Sequence, residues 1–123
     1  MPRLFATLSL ALSVILSASL QAKEKVLDEA VRQFIQTYCI KCHGPDEDKG
    51  DRTFHELAHK KNGQWIMNLS DPGKTNLLHD VLDQLNLGEM PPKKKNIEQP
   101  KVAETKHAIA WLTRVLLDLE KEK

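Results

Sequence analysis

The sequence predicts an all-α fold with about three main helices. Apolar residues recur at helical spacing in three separate stretches, within residues 26–38, 77–85 and 108–119. No stretch shows the apolar–polar alternation of a half-buried strand. Gly, Pro and charged residues punctuate the intervals between the three stretches.

The first helix is read from Val26, Leu27, Ala30, Val31, Phe34, Ile35 and Tyr38, which share one face. Asp28 and Glu29 fall in its first turn, where the helix dipole favours negative charge. Residues 44–63 are polar and broken, so they read as loop with one short helical turn between Phe54 and Ala58. Gln64-Trp65-Ile66-Met67-Asn68-Leu69 is a short apolar segment, and Asp71-Pro72-Gly73 reads as a turn. Leu77, Leu78, Val81, Leu82 and Leu85 form the second helix, which Gly88 stops. Pro100 suits the first turn of a long last helix through Ala108, Trp111, Leu112, Val115, Leu116 and Leu119. Phe34 and Trp111 are expected to pack where the first and last helices meet.

The 123 residues leave room for one domain, preceded by a separate leader. Arg3, an apolar run from Leu4 to Leu16, and the small or polar residues up to Ala22 follow the order of a secretory signal peptide. The run falls short of the ~20 apolar residues that a spanning helix needs. Cleavage is expected after Ala22, leaving 23–123 as the exported domain, with no stable membrane insertion and a periplasmic location. The whole chain has 18 Lys+Arg and 17 Asp+Glu; without Arg3 the two signs balance. Such a domain has no electrostatic footprint for nucleic acid. A domain of this length buries roughly two-thirds of its chain surface, so a buried apolar cofactor would add core that the chain lacks.

Cys39-Ile40-Lys41-Cys42-His43 supplies that cofactor. Two cysteines three apart followed by histidine is the attachment sequence of a c-type haem. Both thiols reach vinyl groups on one edge of the ring, and the next side chain offers its imidazole to the iron. A backbone carbonyl within residues 44–53 is expected to accept the proton on His43 Nδ1. Gly88-Glu89-Met90-Pro91-Pro92 then offers a thioether on a stiff loop. His and Met together are the ligand set of electron-transfer cytochromes c. Covalent attachment takes place outside the bacterial cytoplasm, which agrees with the export signal.

These pieces resemble the planctomycete-type cytochrome c modules, a branch of the small class I cytochromes c. The resemblance rests on Phe34 running into Tyr38-Cys39 through His43, on Lys49-Gly50, Trp65, and Val81-Leu82-Asp83-Gln84-Leu85. It continues through Gly88 to Pro92 and ends on Trp111-Leu112. After Lys49-Gly50 such modules usually read G-L-x-L-D, whereas this chain has Asp51-Arg52-Thr53-Phe54-His55. The resemblance implies an all-helical, class I cytochrome c-like domain around one covalently attached haem c per chain, with His43 proximal and Met90 distal. It implies an electron carrier rather than an enzyme. Its partners would be the haem-c maturation machinery and redox proteins: a dehydrogenase, a membrane electron-transfer complex or an oxidase.

Other readings stand beside these. Cys39 and Cys42 could form a disulfide or a thioredoxin-like pair, or join a zinc site with His55 or His59. Met67, His55, His59, His79 and His107 compete with Met90 for the distal position. Trp65 is either a core residue or a donor from its indole N–H to a haem propionate. The alternative function is a haem-based peroxidase or small-molecule sensor with an open distal position.

Overall fold

A computed structural model describes residues 23–47 and 53–123. The expected signal peptide, and Lys49-Gly50 with the residues around it, lie outside the described residues. In chain order the elements are strand β1 (Glu24–Val26), helix α1 (Glu29–Tyr38), strands β2 (His59–Lys61) and β3 (Gln64–Asn68), and helices α2 (Pro72–Leu87) and α3 (Val102–Lys121).

The all-α expectation is therefore corrected. Three helices are joined by a small antiparallel sheet in the order β1-β3-β2, which makes the fold a mixed α and β one. The strands are too short to announce themselves by alternation. All three residues of β2 are exposed, and in β3 the neighbours Ile66 and Met67 are both buried. β2 and β3 form a hairpin in which Lys61 faces Gln64. Asn62 and Gly63 make its two-residue turn with φ of 50° and 79°, the pair of positive φ values that a type I′ turn requires. β1 pairs Val26 with Ile66, so Val26 belongs to the sheet and not to the first helix. The backbone bond from Leu27 N–H to Trp65 O (2.8 Å) extends this contact to the entrance of α1.

Asp28 caps α1, its Oδ1 accepting from Val31 N–H at 3.0 Å. The same Oδ1 lies 3.0 Å from His107 Nε2 on α3, which ties the start of α1 across the helix pair. Asp71-Pro72-Gly73 is a helix start rather than a separate turn. The Asp71 carboxylate accepts from Gly73 N–H (2.9 Å), and Pro72 occupies the first turn. α2 ends as its sequence predicts. Gly88 adopts the left-handed conformation (φ 70°) and donates to Leu85 O while Glu89 N–H donates to Gln84 O, the two bonds of a Schellman cap. α3 begins just after Pro100, with Lys101 at its cap.

The core lies among α1, α2, α3 and the inner face of the sheet. α3 contributes Ala108, Trp111, Leu112, Val115, Leu116 and Leu119, one face of six buried residues. Val31 and Phe34 meet it from α1, Leu78 and Leu85 from α2, and Met67 and Leu69 from β3 and beyond. Phe34 and Trp111 are thus both buried in the core shared by the first and last helices. The result is a platform in which α1 and α2 each present one end to the same side.

Candidate functional site

The cysteine motif sits where α1 runs out. Cys39 closes the helix, its N–H bonded to Ile35 O (3.0 Å), and the next N–H groups turn back. Cys42 and His43 both donate to Cys39 O, at 3.2 and 3.0 Å. This tight turn collects both sulfurs and the imidazole at one helix end. Gly44 follows, buried, with its N–H bonded to Glu47 O at 2.9 Å. A Cβ there would collide with the Ile40 carbonyl oxygen and lie 2.9 Å from Ile40 Cγ2, so the turn closes over a position where only hydrogen fits.

Phe54 fixes the far side of the motif. Its N–H donates to His43 O (2.7 Å), and its ring lies 5.1 Å from the imidazole, centroid to centroid, at 45°. No motif rule marked Phe54. It occupies the place where the sequence departs from the G-L-x-L-D pattern, and the departure itself was the available signal.

Cys39, Cys42 and His43 line a cavity of about 560 Å³, and Met90 lines the same cavity. Its remaining walls are mostly apolar, with Leu77, Val81 and Leu85 from α2 and Pro91, Pro92 and Ile97 from the following loop. The volume is that of a pocket for a sizeable organic ligand. The α2 cap delivers the chain into this loop, and the Met90–Pro91 peptide is cis.

Among the described residues, Met90 is the sole competitor for the distal position that reaches the cavity. Met67 has no exposed surface and sits in the core. His55, His59 and His79 are exposed elsewhere, and His107 is engaged with Asp28. Trp65 does not line this cavity either. It lies on β3 beneath Arg32, whose guanidinium carbon is 5.8 Å from the ring centroid, and shares a separate small hollow with Phe54.

The thiols are free of each other. Burial, and secondarily the neighbouring Cys42, push the Cys39 thiol up to about 12. Redox-active dithiols need the opposite, a depressed value that yields thiolate near neutrality. Among the described residues no three His, Cys, Asp or Glu side chains gather to hold a metal ion, so the zinc alternative finds no cluster. Two free thiols, one imidazole and one thioether around a mostly apolar cavity fit the donor set of a thioether-bound haem.

A second group of contacts ties the site to α3. Tyr38, the last residue of α1, also lines the cavity and donates from its hydroxyl to Glu104 Oε2 at 3.0 Å. That oxygen also accepts from Lys101 N–H (2.7 Å), and these two donors hold the Glu104 carboxyl below its usual range.

Among the described residues no helix is long and apolar enough to cross a membrane. Searches of curated proteins and of solved structures returned no match to the chain. Residues 39–94, from the first cysteine of the motif to the loop beyond Met90, match the family described as Planctomycete cytochrome C. That match covers less than half of the chain but includes both cavity-forming segments, and it supports a planctomycete-type cytochrome c module there, a domain of the kind that holds haem c and serves electron transfer.

Proposed function

We propose that this protein is a periplasmic monohaem cytochrome c that carries single electrons between redox partners. The observation that supports it is the single cavity shared by Cys39, Cys42, His43 and Met90. In this reading Cys39 and Cys42 hold one haem c covalently, and His43 and Met90 bind its iron. The haem supplies a one-electron iron couple. The protein binds and orients it, keeps water from most of the ring with the Leu77, Val81 and Ile97 side chains, and performs no bond chemistry of its own. Phe54 steadies the His43 ring, and a carbonyl of the segment 44–53 fixes its Nδ1 proton.

Residues 1–22 act as an export signal cleaved after Ala22, and the haem is attached by the maturation machinery outside the cytoplasm. Residues 23–123 are the mature cytochrome domain. The donor and acceptor are a dehydrogenase, a membrane complex or an oxidase.

The test is the absorption spectrum, oxidised and reduced, of protein made in a host with haem-c maturation, together with the Met90→Ala variant. A covalent low-spin haem with the weak far-red band of ferric iron–sulfur ligation is expected. Met90→Ala is expected to lose that band, lower the midpoint potential and admit exogenous ligands. A high-spin wild-type spectrum would move the peroxidase or sensor reading to first place. An unchanged potential in Met90→Ala would remove Met90 from the iron.

A further inference from the structure

The loop after Met90 has few donors of its own. Pro91 and Pro92 carry no backbone N–H, so this stretch is held through its carbonyls. The Pro92 carbonyl accepts twice, from Lys94 N–H at 2.9 Å and from the Gln99 side-chain amide at 2.9 Å. The same Gln99 nitrogen reaches Ile97 O at 3.4 Å. Gln99 thus clasps the two ends of the loop.

What Gln99 is attached to matters as much. It stands two residues before Lys101, the cap of α3, and α3 is anchored by six buried side chains. That helix start is also locked to α1, because Glu104 Oε2 accepts from both Lys101 N–H and Tyr38 Oη. Tyr38 directly precedes Cys39. Both arms of the cavity, the turn over residues 39–43 and the loop over 90–97, therefore hang from the first turn of α3.

We infer that Gln99 is a positioning residue: by gripping the Pro92 carbonyl from the fixed start of α3, it holds Met90 over the cavity that Cys39, Cys42 and His43 line. This rests on the reading of Met90 as an iron ligand. Gln99 does not itself line the cavity; it acts through the loop, by holding the carbonyls of the wall residues Pro92 and Ile97. Gln99→Glu keeps the side-chain shape, removes the donor and sets a negative charge against the carbonyl.

The experiment compares haem-loaded wild type, Gln99→Ala, Gln99→Glu and Met90→Ala by imidazole titration of the ferric protein and by the far-red band. The Gln99 variants are expected to bind imidazole about two- to tenfold more tightly than wild type, the range that one net hydrogen bond supplies. Their far-red band is expected to weaken, and Met90→Ala is expected to bind imidazole most tightly of all. Suppose Met90→Ala changes both readouts while both Gln99 variants keep wild-type affinity and band. The clasp is then refuted and the ligand assignment stands, even if melting temperatures fall. If Met90→Ala matches wild type in both readouts, the ligand assignment fails and the clasp fails with it.

Discussion

Substituting Gly44 by alanine tests the cysteine turn at its tightest point. The added methyl would collide with the Ile40 carbonyl oxygen and lie 2.9 Å from Ile40 Cγ2. Carbon pairs sit best at about 3.5–4.0 Å, so clearing Cγ2 alone requires ~0.6 Å of movement. The oxygen belongs to the backbone and cannot rotate aside. Residues 40 and 44 bracket Cys42 and His43, so the relief must come from the segment that carries the thiol and the imidazole. Overpacking of this kind costs about 1–3 kcal/mol. In a domain near 100 residues each kcal/mol lowers the melting temperature by about 4–8 °C. Denaturant unfolding of the haem-loaded variant, with its absorption spectrum, provides the assay. A lower midpoint and an altered ferric spectrum or lower haem yield are expected. A variant with wild-type midpoint, yield and spectrum would show that the turn tolerates a side chain, and the account of its closure would be wrong.

Two further predictions concern the platform. Leu78 is 1% exposed and does not line the cavity. Leu78→Ala should cost about 2–5 kcal/mol in urea unfolding while leaving the haem spectrum in place; a shifted spectrum would tie the core to the site more closely than described. The Asp28 carboxyl is held below its usual 3.8, first by its bond to His107 and also by the Val31 N–H, against the opposing effect of burial. A depressed carboxylate contributes stability that is complete above its unfolded value and is lost as pH falls through the folded one. Urea midpoints of wild type should therefore fall faster below about pH 4 than those of Asp28→Asn, and parallel curves would contradict that linkage.

The helices were legible because each has one strong apolar face. Leu78 and Leu85, or Trp111 and Leu119, are buried where the periodicity puts them. The sheet was not, since β1 and β2 are three residues each and derive their identity from pairing with β3. One clue was available: Asn62-Gly63 between His59-Lys60-Lys61 and Gln64-Trp65-Ile66 is a hairpin signal. Polar flanking residues hid it. Asp71-Pro72 was ambiguous for a related reason, because the residue types that make turns also start helices. At the site, chemistry constrains Cys39, Cys42, His43 and Met90 so tightly that sequence alone singled out four residues that share a cavity. Trp65 carries no such constraint, and its place depends on the unseen sheet. Phe54 was signalled only by the departure from the G-L-x-L-D pattern, whereas Gln99 and the Tyr38–Glu104 bond were invisible because they act through a backbone carbonyl or through a partner remote in the chain.

The long helix α3 supplies six core side chains and none of the cavity wall. The packing that α3 provides past its first turn is thereby separate from the lining of the cavity. Past its first turn, the outward positions of α3, such as Thr113, Arg114 and Leu117, are exposed. They form a handle on which solubility, tethering to an electrode or fusion to another domain can be adjusted while the chemistry of the opposite end is left alone.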